Sequence, residues 1–198
     1  SLSKKNINTI DDLRGKTVGI NKQSSVYPQF LKALELNNIS VNDVDFYPIG
    51  YGGASELLNG KVDAFLSYTT NQAIDVELAN KNINEIFLGN NGIFTYGLVL
   101  IFSSESYLQK ESITTQDVKD IAKAVKEGYS KGFNDVDNSV KILISEDPTL
   151  NEEKVRKSIL KISSLKIKVS YPYSQLDNWV IDDDVPYTVK VFMESIMD

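Results

Sequence analysis

The chain has 198 residues, a net charge of −6 and a hydrophobic content of 41%, which suffices for a buried core in one large or two small domains. It contains neither cysteine nor histidine, which excludes disulfides, thiolate metal sites, HExxH zinc sites and serine–histidine triads. Its basic residues are dispersed, which argues against nucleic-acid binding, and its apolar runs fall short of the 18 residues of a membrane span.

The first hundred residues alternate between short apolar strands and helical patterns. Thr17–Ile20 predicts a buried strand, and Val26–Leu36 predicts a helix with Pro28 in its first turn, where proline is tolerated. Further strands are predicted over Val44–Ile49, Val62–Leu66, Glu85–Leu88 and Tyr96–Phe102, and further helices over Ala54–Asn59 and Asn71–Asn80. This alternation is typical of crossover units in a mainly parallel sheet, so the predicted fold class is α/β.

After about residue 105 the pattern becomes helical. Helices are predicted over Asp117–Lys131, over Ser139–Ser145, from the cap Asn151 to about Ile162, and over Pro186–Met197. The predicted division is an α/β ligand-binding lobe over residues 1–102 and a helical region over residues 103–198. Because the helical region carries apolar stripes but no predicted sheet, it must cover the first-half sheet or pack on something outside this chain.

Three segments, in this order, resemble a known protein family. They are Asp12–Ile20, Gly60–Ala64 and Tyr96–Leu108, and the match in order and spacing covers roughly residues 9–135. They are similar to substrate-binding proteins of ABC importers, in the group for thiamine-precursor pyrimidines, sulfonates, taurine and nitrate. The resemblance implies a periplasmic-binding-protein type II-like lobe, followed by helices that would pack on the first lobe and hinge. In that family about half a lobe precedes the first segment, so we expect a fragment that lacks part of lobe 1.

The resemblance also implies a function. The chain would be the solute-binding component of an importer and would capture a small polar or aromatic nutrient of the pyrimidine, sulfonate, taurine or nitrate class between two lobes. An ABC permease would be its partner, and its location would be extracytoplasmic, either periplasmic or as a cell-surface lipoprotein with a lipid anchor outside this chain. The alternative is a ligand-sensing module of a signalling protein with the same fold.

An enzyme is not predicted, and no cofactor, metal or nucleic acid is expected. The family's eukaryotic pyrimidine-synthase relatives depend on a histidine, and this chain has none. Histidine is also the commonest general base in enzymes, so the residues themselves favour binding over catalysis.

Candidate ligand contacts follow the ends of the predicted strands. Ser24 and Ser25 precede the helix that contains Tyr27, where free N–H groups and the positive end of the helix dipole suit an anion or a polar ring. The alternative is that Ser25 is only a helix cap. After the second strand, Tyr51 and Gly52 offer a stacking face and close backbone approach, or else form only an exposed turn.

The third strand is followed by Tyr68 and Asn71, which offer an aromatic face and an amide, unless this segment only caps the next helix through Thr69 or Thr70. Pyrimidine-binding relatives have an Asn-Glu pair near this place, and Gln72 replaces the acid here, which argues against a cationic or amine-bearing ligand. With Tyr96, before the last predicted strand, the candidate ligand-binding residues are Ser24, Ser25, Tyr27, Tyr51, Gly52, Tyr68, Asn71 and Tyr96.

Several conspicuous residues are interpreted as structural. Asp63 is expected to bond neighbouring backbone N–H groups rather than a metal or a substrate. The acidic run at residues 182–184 lacks the spacing of a calcium loop and is interpreted as a solvated loop. Trp179 is expected to pack, and the Lys and Glu residues at 152–157 are expected to form the solvent-facing side of a helix.

Overall fold

The computed structural model of the chain describes residues 1–93, 101–102, 112–168 and 190–191. The chain divides into two compact units. The first unit comprises Ser1–Thr95 and Thr149–Lys161, and the second comprises Tyr96–Pro148 and Ile162–Asp198. The predicted division at residue 102 stays a prediction.

The first unit contains a three-stranded parallel sheet. Its strands are β1 (Thr17–Ile20), β2 (Asp45–Pro48) and β3 (Ala64–Phe65), in the order β2–β1–β3. In the central strand, Val18 lies opposite Phe46 on one side and Ala64 on the other. The three strands correspond to the first three predicted ones, and the α/β fold class with a parallel sheet is confirmed.

Each strand of this sheet is followed by a helix. These helices are α1 (Val26–Leu36), α2 (Ala54–Leu58) and α3 (Gln72–Leu78). Helix α1 forms because its apolar residues recur at helical spacing, so that Phe30, Ala33 and Leu34 are buried on one face. The helix ends at Asn37, whose side-chain amide donates to the Ala33 carbonyl at 2.7 Å.

The core of the first unit has two parts. The larger cluster joins β1 and α1 to residues from the N-terminal segment and consists of Ile7, Ile10, Leu13, Val18, Ile20, Phe30, Ala33, Leu34, Ile39, Val44, Ala64 and Ile93. The smaller cluster consists of Leu2, Leu57, Val62 and Val76. The two clusters fix the sheet between its helices and thereby hold the ends of the strands in place.

The predicted strand over Glu85–Leu88 is wrong. Residues 85–87 pair with no strand within the described part of the chain, and Leu88–Asn91 forms a 3₁₀ turn. Ile86 and Leu88 pack against the larger core cluster. The apolar residues of this segment are therefore buried by side-chain packing without joining the sheet ladder.

The second unit contains the helices α4 (Thr115–Asn134) and α5 (Val136–Glu146), and both extend beyond their predicted bounds. Helix α6 (Glu152–Lys168) begins in the first unit and ends in the second. None of the helices in the described ranges is both long and apolar enough to cross a membrane.

A short antiparallel sheet in the second unit corrects two predictions. Its strands are β4 (Ile101–Phe102) and β5 (Lys190–Val191), with Ile101 opposite Val191. The predicted helix over Pro186–Met197 is therefore wrong at residues 190–191. The prediction that the second half carries no sheet is also wrong. Valine favours strands, and pairing with β4 gives these backbone groups partners. The other residues of the predicted strand Tyr96–Phe102, namely 96–100, lie outside the described residues.

Candidate functional site

The carboxyl ends of the three parallel strands meet at one edge of the first unit's sheet, where α/β proteins place their ligands. The loops that follow β1, β2 and β3 line a pocket of about 380 Å³. Its lining residues are Asn21, Gln23, Ser24, Ser25, Val26, Gly50, Tyr51, Gly52, Leu66, Ser67, Tyr68 and Gln72. These residues carry no formal charge, so the pocket offers hydroxyl, amide and aromatic groups.

The two serines before α1 have different roles. The Ser24 hydroxyl accepts a hydrogen bond from the backbone N–H of Val26 at 3.3 Å. Ser25 makes no capping bond, and its hydroxyl lies 3.3 Å from the hydroxyl of Tyr68. Ser25 therefore links the first loop of the pocket to the third. Tyr27 does not line the pocket, since its half-buried ring packs edge-on against Phe46, with the ring centroids 6.2 Å apart.

The second loop presents Tyr51, whose side chain is largely solvent-exposed, with a relative exposure of 78%. Its carbonyl accepts a hydrogen bond from the Gln72 amide at 3.3 Å. Gly53 supports this loop, because its φ is +114° and a Cβ there would lie 2.5 Å from Cδ2 of Phe65. Gly52 lines the pocket in open space, with no atom within 4 Å of where its Cβ would be.

The third loop places Tyr68 and Gln72 at the pocket. The Tyr68 N–H donates to Oε1 of Gln72 at 3.0 Å, and the Tyr68 side chain is half exposed. Asn71 is exposed at the start of α3 and does not line the pocket. Thr69 and Thr70 do not cap α3: the Thr69 hydroxyl donates to the Glu85 carboxylate, and the Thr70 carbonyl accepts a bond from Ser158.

The structure thus brings five of the eight candidate residues together: Ser24, Ser25, Tyr51, Gly52 and Tyr68. Tyr27 and Asn71 lie elsewhere, and Tyr96 lies outside the described residues. Asn21, Ser67 and Gln72 also line the pocket but were not among the candidates. The signal of Asn21 and Ser67 was position alone, because each is a polar residue close to a strand end, whereas Gln72 was also marked as the residue that replaces the acid of the pyrimidine-binding relatives.

Asp63 lies at the other end of β3 and has a structural role. One of its carboxylate oxygens accepts from the Thr17 N–H at 3.1 Å, and the other pairs with the Lys5 ammonium at 2.8 Å. The hydrogen bond from Lys5 is the main reason why the pKa of Asp63 lies below its ordinary value. Within the described residues, no cluster of three or more acidic residues is placed to hold a metal ion.

The first half of α6 packs beside the third loop. Asn151 caps this helix as predicted, accepting from the Lys154 N–H at 2.8 Å. The prediction that residues 152–157 face solvent is wrong for Lys154, which pairs with Asp75 of α3 at 2.7 Å. Trp179 and the acidic run at 182–184 lie outside the described residues.

Comparisons with known proteins agree with this architecture. The chain is similar in structure to the alkanesulfonate-binding protein SsuA from Xanthomonas axonopodis pv. citri bound to MOPS, with a TM-score of 0.52 and 21% sequence identity. The match covers 80% of this chain and 53% of SsuA, so the chain spans about half of that protein. No curated protein matches the sequence.

The family assignment comes from a sequence model. The family model described as NMT1/THI5 like matches residues 1–138, which is well over half of the chain. The resemblance of the sequence to substrate-binding proteins of ABC importers is thereby confirmed. The chain belongs to the NMT1/THI5-like family.

Proposed function

We propose that this chain is the ligand-holding part of a solute-binding protein of an ABC importer. In this proposal it captures a small polar solute and releases it unchanged to a permease, on the outer side of the membrane. The observation that carries the proposal is the convergence of three loops on one uncharged pocket at the carboxyl edge of the parallel sheet.

The groups in the pocket favour binding over catalysis. Its lining includes serine and tyrosine hydroxyls, but a serine nucleophile needs an adjacent base, and none of the described lining residues is a carboxylate, lysine or histidine. Hydroxyls and amides can instead form several hydrogen bonds to a bound solute. A solute that leaves one of them buried and unpaired would bind less tightly, which gives the pocket a means of selection.

We propose sulfonates as the first substrate class. Ser24 and Ser25 lie at the start of the 11-residue helix α1, where the positive end of the helix dipole favours an anion and the two serine hydroxyls can donate to it. SsuA, which shares the fold, is bound to MOPS, and MOPS carries a sulfonate group. An uncharged pocket that binds an anion through hydroxyls and the helix dipole requires no lysine or arginine.

Pyrimidines are the second candidate class. The rings of Tyr51 and Tyr68 are 78% and 53% exposed, so each has a free aromatic surface beside the pocket. The amide of Gln72 adds a donor and an acceptor of the kind that recognises the edge of a heteroaromatic ring. A flat ligand of this class would stack on tyrosine and bond to the amide.

Calorimetric titration of the full chain tests the proposal, with MOPS, taurine, nitrate and a hydroxymethylpyrimidine as separate ligands. We expect saturable binding of at least one ligand. Tyr68→Ala should weaken it by roughly tenfold, the equivalent of one aromatic contact. Tyr129→Ala is the matched control, because Tyr129 is a half-exposed tyrosine of α4. Absence of binding by all four ligands, or equal effects of the two substitutions, would refute the proposed site.

A further inference from the structure

Loop 67–72, which carries Tyr68 into the pocket, is held by residues of helix α6 from more than 80 positions away. The Ser158 hydroxyl donates to the Thr70 carbonyl at 2.8 Å. Thr70 lies two residues after Tyr68, so this bond fixes the backbone directly behind the tyrosine. Among the described side chains of α6, neither Ser158 nor any other lines the pocket itself.

A second connection runs through Glu85. The Thr69 hydroxyl donates to the Glu85 carboxylate, and the Lys161 ammonium lies 3.2 Å from the other oxygen of the same carboxylate. Lys161 also pairs with Glu77 of α3 at 2.7 Å. One ammonium therefore bridges two carboxylates, and its side chain is only 17% exposed. Without it the two carboxylates would repel each other, and Glu85 would move from its place against Thr69.

The side of the loop that faces the pocket is held by contacts among the pocket residues themselves. The Tyr68 hydroxyl lies 3.3 Å from that of Ser25, and the Tyr68 N–H donates to Gln72. These groups belong to the pocket and would exchange partners when a solute binds. The bonds to α6 lie behind the loop and would remain in place.

We propose that Ser158 and Lys161 are positioning residues of the ligand site, which hold loop 67–72 so that Tyr68 and Gln72 face the pocket. Ser158 acts through the Thr70 carbonyl, and Lys161 acts through Glu85 and Thr69. This inference rests on the proposed function, because it assigns the residues a role at that same site. It extends the site to side chains that touch no solute.

The conformation of Tyr68 can be measured without any ligand. The full chain is labelled with 3-fluorotyrosine, and its ¹⁹F spectrum is recorded below the melting temperature, with the Tyr68 resonance assigned by Tyr68→Phe. Ser158→Ala, which deletes a single hydroxyl, and Lys161→Met should each shift or split the Tyr68 resonance. Lys161→Arg keeps the cation between the two carboxylates and should restore the wild-type resonance.

Lys154→Met is the matched control. It removes another ion pair between α6 and α3, the one with Asp75, and the Lys154 side chain forms no hydrogen bond or ion pair with loop 67–72 among the described residues. It should leave the Tyr68 resonance in place even if it lowers the melting temperature. The proposal is overturned if the resonance is unchanged in both Ser158→Ala and Lys161→Met, or if Lys154→Met displaces it equally.

Titration with MOPS then separates this proposal from the proposed function. If the wild-type chain binds MOPS, Ser158→Ala and Lys161→Met should weaken binding about fivefold, the equivalent of one ordinary hydrogen bond, and Lys154→Met should not. Equal affinities in all variants would count against the positioning role. If the wild-type chain does not bind MOPS, the sulfonate assignment fails, and the ¹⁹F spectra still decide whether α6 positions Tyr68.

Discussion

Asp63, directly before β3, shows that a carboxylate beside a strand can support the fold while taking no part in the site. Its backbone N–H donates to the Thr17 carbonyl at 2.8 Å, and its side chain accepts from the Thr17 N–H at 3.1 Å. The same carboxylate pairs with Lys5, so one residue joins the start of β1 to the N-terminal segment. The carboxylate must be ionised to make these contacts fully, which links the fold to pH.

The pKa of Asp63 in the folded chain lies below its ordinary value of 3.8, chiefly because of the Lys5 hydrogen bond. A depressed folded pKa means that ionised Asp63 stabilises the fold above the unfolded pKa, and that this stability is lost as pH falls through the folded pKa. Urea unfolding of the wild-type chain and of Asp63→Asn should therefore differ most at neutral pH. The difference should shrink below about pH 4; a constant difference from pH 7 to pH 3 would contradict the prediction.

Pocket residues could be predicted where strand order alone determines their position. Ser24, Tyr51 and Tyr68 follow three consecutive strands, and parallel strands bring such residues to one edge. The roles of Ser158 and Lys161 could not be predicted in this way, because they depend on where α6 packs. Nothing in the local sequence of α6 specifies that a hydroxyl there meets the carbonyl of Thr70.

Among the helices, α1 was the most predictable because its pattern is local. The bounds predicted from periodicity, Val26–Leu36, are those of the structure. Glu85–Leu88, and residues 190–191 of the predicted helix Pro186–Met197, were predicted wrongly because strand pairing depends on distant partners. The first segment finds none in the described chain, and residues 190–191 of the second pair with β4. Hydrophobic pattern alone cannot distinguish these cases.

Two leucines of helix α1 allow the contribution of its buried face to the free energy of unfolding to be measured. Leu34 is fully buried, whereas Leu36, two residues later on the same helix, is 49% exposed. Leu34→Ala should lower the free energy of unfolding by about 2–5 kcal/mol, because it leaves a cavity in the core. Leu36→Ala, the same change on the exposed side, should cost less than about 1 kcal/mol. Chemical denaturation measures both, and equal losses would show that the two faces of α1 are not distinguished in solution.

At the scale of the whole molecule, burial is unevenly distributed between the two units. Helix α1 has three buried side chains in 11 residues. Helix α4 is almost twice as long, yet among its described side chains only Val118 is buried, and Ile121, Val125 and Tyr129 are between 37% and 48% exposed. Helices obtain most of their stability from packing an apolar face, so we expect α4 to be less stable against local unfolding than α1.

Hydrogen exchange of the full chain should reveal this difference. Local opening costs less free energy where few apolar contacts are lost, so amides of α4 should exchange at least about tenfold faster than those of α1 and β1. Mass spectrometry of peptic peptides would resolve these elements in one experiment. Equal protection of α4 and α1 would mean that the two units open together as one cooperative structure. Faster exchange of α4 would instead show that α1 and β1 of the first unit keep their fold while α4 opens.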